Sequence, residues 1–293
     1  MSVLTIDETV ALEAEAAHHK VELARRPGLF AVRTALAGAY IGIGVVIMLT
    51  AGGPLKMAGS PWAPLVQGLV FGVALTIVVV AGGELATSAM MILTQGVVRR
   101  SVRAAQAGVV LLAVLAGNLV GSAIFAGLVH ASGIMASGTA PGDALAALVA
   151  HKAEISSGQL FFRGVLCNLL VCLAIWCAAR LTSEGAKIAV IFACVMVFIT
   201  SGFEHVVANM TTFSLGLFAG LPHATVAEFG RNVLWVGLGN LVGGALLVGV
   251  AYAYSVGPKL PRSDEARVGG ATAPDEARTP AAVELEDAAA TRA

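Results

Sequence analysis

Three residues in one apolar run are equipped for chemistry: Glu204, His205 and Asn209, in the stretch GFEHVVAN at Gly202–Asn209. The run around them extends from about Ile188 to Leu221. An imidazole can hold or pass a proton near neutral pH. A carboxylate accepts hydrogen bonds or pairs with a cation, and an amide does both donor and acceptor work. At membrane depth such groups are costly, face a bundle interior or a water-filled cavity, and mark ion and proton pathways. Neighbours on a helix point about 100° apart, so Glu204 and His205 cannot both face one narrow passage. His205 is read as the residue on the path. Its structural alternative is a core histidine satisfied by Glu204 or by a backbone carbonyl. Glu204 is read as a brace that accepts backbone or amide hydrogen bonds, because a buried charge must be bonded.

The elements that must position these groups follow from composition. Of 293 residues, 57% are hydrophobic and only 12% are charged, with 34 glycines. A soluble domain has about a quarter of its residues charged. Most of the charge sits at the ends and in short connectors, which leaves several segments longer than the ~20 apolar residues that cross a bilayer. The fold class is an all-α polytopic membrane protein. Net charge is zero and no basic cluster suggests nucleic acid. Cys167, Cys172, Cys177 and Cys194 lie in apolar segments without metal-site spacing, so neither disulfide, metal nor cofactor is expected. HExxH, GxSxG and P-loop signatures are absent, which argues against an enzyme. Residues 1–27 form a charged N-terminal segment, at most a weakly amphipathic helix on the membrane surface, and not a signal peptide. Residues 28–257 are the transmembrane domain, and 258–293, rich in Ala, Glu, Asp, Arg and Pro, read as a disordered tail.

Six crossings are expected: about Gly28–Ala51, Trp62–Val98, Ala104–Ala131, Leu160–Ala179, Ile188–Leu221 and Val226–Val256. The second and fifth are too long for plain helices. Gly82, Gly83 and Glu84 interrupt one; Ser201, Gly202, Glu204 and His205 interrupt the other. GNLVG occurs at Gly117–Gly121 and again, letter for letter, at Gly239–Gly243, and Glu84 and Glu204 stand almost the same distance apart. Spans one to three therefore repeat as spans four to six. Three is odd, so the copies are inverted, a 3+3 arrangement whose paired breaks point to a transport site near the midplane. Lys20, Arg25, Arg26, Arg33, Arg99, Arg100, Arg103, Arg180, Lys187, Lys259, Arg262 and Arg267 on one side outnumber Lys56, Lys152, Arg163 and Arg231 on the other, which puts both termini in the cytoplasm.

The repeat adds candidates. Asn118 and Asn240, the amides inside the two GNLVG copies, are read as hydrogen-bonding the interrupted backbone, since freed backbone groups in lipid must be satisfied. Glu84 is read as the brace of the other half. Thr87, in GGELATS, sits where an interrupted helix frees N–H donors beside a hydroxyl; it is an N-cap, an anion contact, or both. Lys152 precedes the fourth span and is either a solvated loop lysine or a group that concentrates anions.

Together the motifs AGAYIG, GGELATS, AGNLVG, LCNLLVCLAIW, SGFEHVVANM and LGNLVGG, in this order over about residues 20–256, resemble the formate/nitrite transporter family of pentameric anion channels. That resemblance implies an aquaporin-like six-helix bundle, a pore in each protomer, helices two and five broken, and a homopentamer in the cell (inner) membrane. It makes His205 the central pore histidine, Thr87 its hydrogen-bond partner, Lys152 the outer vestibule lysine, and Asn168 and Asn209 pore-facing amides. It makes Phe71, Leu75, Leu85 and Phe198 constriction positions. Members often carry an aromatic where this chain has Ala86, a departure that implies either a wider gate or a shift in how the loop closes. GGELAT and FFRGVLCNLLVCLAIW are similar to the nitrite branch.

The mechanism expected from this reading has Lys152 attract a small monovalent anion, most simply nitrite. Apolar gates strip its water, and His205 protonates it so that a neutral weak acid crosses. Formate, hydrosulfide and lactate are alternative substrates. The rivals of another class are a neutral-solute channel of the water or glycerol type and a non-transport membrane subunit. Protons and membrane lipid are the remaining partners implied.

Overall fold

The structure is a computed structural model that describes residues 3–256; the expected tail at 258–293 lies outside the described residues. Among the described residues the chain is helical apart from one isolated bridge, Val3 to Leu181. Helix α1 spans Ile6–Ala24, α2 Pro27–Met57, α3 Ala63–Val80, α4 Ala86–Val98 and α5 Ala104–Ala131. Then follow α6 Ala140–Glu154, α7 Ser157–Arg180, α8 Glu184–Thr200, α9 Val206–Phe218 and α10 Val226–Leu241. Helix α10 continues as a π-helical stretch, Val242–Val250, into the short α11 at Ala251–Ser255. Five of these helical stretches are long and apolar enough to cross a membrane: Pro27–Met57, Ala63–Val80, Ala104–Ala131, Ser157–Arg180 and Val226–Ser255. Helices α4 and α9 are apolar but shorter.

Two helices outside that set differ from the sequence expectation. The polar connector holding His151, Lys152 and Glu154 is helix α6, capped by Thr139, whose hydroxyl accepts the Gly142 N–H at 3.2 Å. It packs on α2 and α9. Helix α1 is more than a surface helix. Its capping box is complete: the Thr5 hydroxyl accepts the Glu8 N–H at 3.2 Å, and the Glu8 carboxylate accepts the Thr5 N–H at 2.8 Å. Thr9, Val10, Glu13, Ala14, Ala17 and Val21 form a buried face against α4. The Ser101 hydroxyl donates to the Ala14 carbonyl at 2.7 Å, and the Arg180 guanidinium donates to the Leu4 carbonyl.

The chain is interrupted between α3 and α4 and again between α8 and α9. Each interruption begins at a glycine with positive φ, +74° at Gly82 and +69° at Gly202, where a side chain would be strained. The freed backbone groups are taken up by matching sets of bonds. The Asn118 amide donates to the carbonyls of Thr34 and Glu84, both at 2.8 Å, and accepts the Ala86 N–H at 2.8 Å. The Asn240 amide donates to the carbonyls of Gly164 and Glu204, at 2.8 and 3.0 Å, and accepts the Val206 N–H at 2.9 Å. The Glu84 N–H reaches the Arg33 carbonyl and the Glu204 N–H the Arg163 carbonyl. The glycines around each asparagine allow this reach. A Cβ at Gly121 would strike the Ala35 carbonyl, and one at Gly243 the Val165 carbonyl. GNLVG is thus a buried amide flanked by the glycines that let α5 close on α2 and α10 on α7.

Two consequences are measurable. Replacing Asn240 with Ala removes three hydrogen bonds and takes from the buried Val206 N–H and the Glu204 carbonyl the partner described above, while the Gly164 carbonyl keeps its place in the α7 ladder. At about 1–3 kcal/mol for each unsatisfied group, the unfolding midpoint of the detergent-solubilised protein falls by roughly 5–10 °C or more. A wild-type melting curve would show that the amide is dispensable. Glu13 is buried in the α1–α4 seam, and burial pushes its carboxyl from 4.5 up to about 7, with Lys20 opposing the rise. The raised value means that the seated helix holds the proton more tightly than the released one. Its contribution to seating is complete below pH 4.5 and is lost as pH rises through about 7, on the order of 3 kcal/mol in total. Hydrogen exchange across Ile6–Ala24 therefore quickens between about pH 4.5 and about pH 7, and Glu13→Gln makes it flat in pH beyond the intrinsic exchange rate. A wild-type slope retained in that variant would assign the effect elsewhere.

Candidate functional site

A cavity of about 210 Å³ opens on the face that carries α6, lined among others by Phe71, Lys152, Arg163, Glu204, His205 and Asn209. Its polar groups come from a non-spanning helix, from the interruption before α9 and from the first turns of α9. Its apolar wall comes from α2 and α3, with Val45, Leu49 and Phe71.

His205 is the N-cap of α9 and caps it with its own ring, whose Nδ1 accepts the Ala208 N–H at 3.2 Å. Across the interior, Nε2 lies 3.1 Å from the Thr87 hydroxyl, in the first turn of α4. A backbone N–H can only donate, so Nδ1 carries no proton. The ring is then the neutral tautomer with its hydrogen on Nε2, donated to Thr87. Both residues are buried. The ring stacks on Phe198 with centroids 6.1 Å apart and planes 20° apart, and Phe198 meets Phe71 edge-on at 6.2 Å. The N-termini of α4 and α9 meet at this hydrogen bond. Each brings the positive end of a helix dipole, so the point where they converge favours negative charge.

Above the ring, Lys152 Nζ donates to Glu204 Oε2 at 2.6 Å, with both side chains buried. The same carboxylate oxygen accepts the Asn209 amide at 2.6 Å, and the other Asn209 N–H goes to Asn232 Oδ1 at 2.7 Å. Arg231, beside Asn232 on α10, donates to the carbonyls of Ala153 and Ile155 at 2.9 and 2.8 Å and so fixes the end of α6 just past Lys152. The opposite face has a counterpart. Glu84 pairs with Lys20 of α1, at the edge of a second cavity of about 620 Å³ whose lining includes His19, Arg26 and Arg33.

The structure therefore brings Lys152, Glu204 and Asn209 into one bonded group and, with His205 lining the same cavity, sets it beside the His205–Thr87 pair. Phe71 and Phe198 stand at its apolar side. Asn168 lies elsewhere: fully buried, it donates to the carbonyls of Asn240 and Thr87 at 2.7 and 3.1 Å, tying α7 to α10 and α4, and it does not line the cavity. Leu75 and Leu85 are buried as well, and Leu85 occupies in α4 the N-cap place that His205 occupies in α9. Asn118 and Asn240 stand behind the two interruptions. Glu84 and Glu204 each hold a lysine, a partner the sequence reading did not give them. Lys20, Arg231 and Asn232 were missed. Lys20 looked like one more charge in a charged segment. Its signal was the repeat, since α1 and α6 each lead into a long helix and each carries its lysine near its end.

Comparison with known proteins gives a consistent result. The formate/nitrite transporter family model matches residues 7–254. The nitrite transporter NirC of Escherichia coli (strain K12) is 41% identical over 240 residues, 82% of this chain and 87% of that protein. A solved FNT family ion channel is 39% identical with a TM-score of 0.80, covering 85% of this chain and 99% of its own. A solved pentameric formate channel with formate bound is 29% identical with a TM-score of 0.68, covering 79% of this chain and 98% of its own.

Proposed function

The chain belongs to the formate/nitrite transporter family, and from that premise we propose that it carries small monovalent anions, nitrite first and formate second, across the cell (inner) membrane. The observation that carries this reading is the single cavity that runs from Lys152 past Phe71 to His205. The 41% identity to a nitrite transporter supports nitrite, and the formate-bound structural neighbour supports formate. In this reading α3 with α4, and α8 with α9, each make one broken crossing. Six crossings then form two inverted halves, with both termini cytoplasmic and α6 on the outer side. Five copies assemble, as in the pentameric neighbour, and in this reading each copy of this chain has its own pore.

An anion enters on the α6 face, where Lys152 exchanges part of its bonding from Glu204 to the newcomer. The Phe71–Phe198 pair strips water, which makes a bare charge costly. The converging ends of α4 and α9 lower that cost at His205. Leu75 and Leu85 line the apolar stretch beyond. To act as an acid, the resting neutral ring must first take up a proton from water that enters with the anion, which costs the Ala208 hydrogen bond and, more heavily, places a charge in a buried site. A negative charge beside the ring offsets that cost. The imidazolium then gives one proton to the anion and returns to neutral, and the uncharged acid crosses the apolar stretch. Thr87 holds the ring in the orientation that makes this possible.

Two variants in proteoliposomes test the mechanism. His205→Asn keeps an N-cap and an N–H donor but cannot titrate. Nitrite and formate flux is expected to persist while losing its rise toward acid pH. His205→Phe removes cap and donor together and is expected to lower flux by roughly tenfold or more. A wild-type pH profile in His205→Asn would overturn the proton-donor role, and glycerol flux in place of anion flux would overturn the substrate class.

A further inference from the structure

We propose that Asn232 is a positioning residue for anion capture, acting through Asn209 and Glu204 on Lys152; the proposal rests on the anion-transport reading above. A lysine bound to a carboxylate at 2.6 Å is half of a neutral pair. To engage an anion, Lys152 must shift hydrogen bonding away from Glu204, which would leave a buried carboxylate short of a donor. Asn209 already donates to the same oxygen, Glu204 Oε2, at 2.6 Å, and so holds the carboxylate while the lysine moves.

An amide can also turn over. With its ends exchanged, Asn209 would set its oxygen against the Glu204 carboxylate. Asn232 removes that choice. Its Oδ1 takes the second Asn209 N–H at 2.7 Å, so the turned amide would face an oxygen on both sides. Asn232 contributes its acceptor alone. Its own Nδ2 is buried and has no hydrogen-bond partner among the described residues.

The other half of the molecule serves as an internal control. There Glu84 is paired with Lys20, and Asn118 holds the interruption in the same way that Asn240 does. At the place of Asn209, five residues past the glutamate, stands Ala89. At the place of Asn232, eight before the GNLVG asparagine, stands Val110. An interruption with a lysine–glutamate pair is thus built without the two amides. The Asn209–Asn232 arm is additional to the brace, and it is confined to the half whose lysine meets the anion. Arg231 fixes the backbone past Lys152 from the same helix, so one edge of α10 supports both ends of the capture group.

The test is nitrite and formate uptake into proteoliposomes by the full-length chain and its variants. Asn232→Leu is expected to raise the apparent KM by roughly fivefold to tenfold with maximal flux nearly unchanged, the pattern of weakened capture. In a Lys152→Met background, Asn232→Leu is expected to change KM no further, because the residue it acts through is gone. The double variant Asn209→Ala with Asn232→Val installs the residues that the other half uses, and it is expected to give the same KM rise if the leucine variant does not fold. An unchanged KM in Asn232→Leu, or in the double variant where the leucine variant does not fold, overturns the proposal. So does a KM effect of equal size with Lys152 absent, which would mark Asn232 as structural. A wild-type chain that moves neither nitrite nor formate overturns the anion reading and this inference with it. Wild-type flux with an unmoved KM overturns this inference alone.

Discussion

The structure depends on one constraint: a helix interrupted where water is scarce must have its freed backbone groups bonded by the rest of the protein. Asn118 and Asn240 meet it, each with two donated bonds and one accepted, each from a neighbouring long helix. Everything chemical in the molecule is downstream of those amides. They let α4 and α9 begin in the interior, with their N-terminal ends directed at one another. They set His205 and Thr87 at hydrogen-bonding distance across the gap. The glycines beside each asparagine belong to the same device, because any side chain there would hold the helices too far apart for the amide to reach.

Much of this was legible in the sequence, because the device is written twice. The duplicated GNLVG and the two glutamates in matched positions mark both interruptions, and a histidine in an apolar run marks the interior. What the sequence did not disclose are partners chosen by tertiary approach. That Glu84 meets Lys20 depends on α1 docking against α4, and the pattern of α1 suggested only a surface helix. Its buried face contains Thr9 and Glu13 among small apolar residues, so its periodicity is weak although its packing is real. Asn168 was readable as a polar residue in a span. Whether it faced a passage or a neighbouring helix depended on a rotation that composition does not fix; the structure turns it toward Thr87 and Asn240. Asn232 sat among ordinary helix residues, and only its contact with Asn209 gives it meaning.

The two halves share a frame and differ in what they hang on it. At the cap of α9 stands an imidazole, and at the cap of α4 a leucine. One glutamate is held by a lysine and an amide, the other by a lysine. One support helix packs with leucines such as Leu145, and the other with a glutamate whose charge depends on pH. A repeat therefore preserves the parts that satisfy the backbone, while the parts that touch solute or solvent are free to diverge.

Because Lys20 belongs to α1, the first two dozen residues complete the charge pairing of the cavity on that side. Clipping them away, or tethering them in a fusion protein so that they cannot dock, would leave Glu84 without its bonded lysine at the edge of that cavity. Arg26 and Arg33 of the same cavity would remain, so its lining would stay cationic while the carboxylate lost the lysine bonded to it. In a chain of this design the leading segment is a counter-ion delivered by the polypeptide itself, so an amino-terminal tag is no neutral addition.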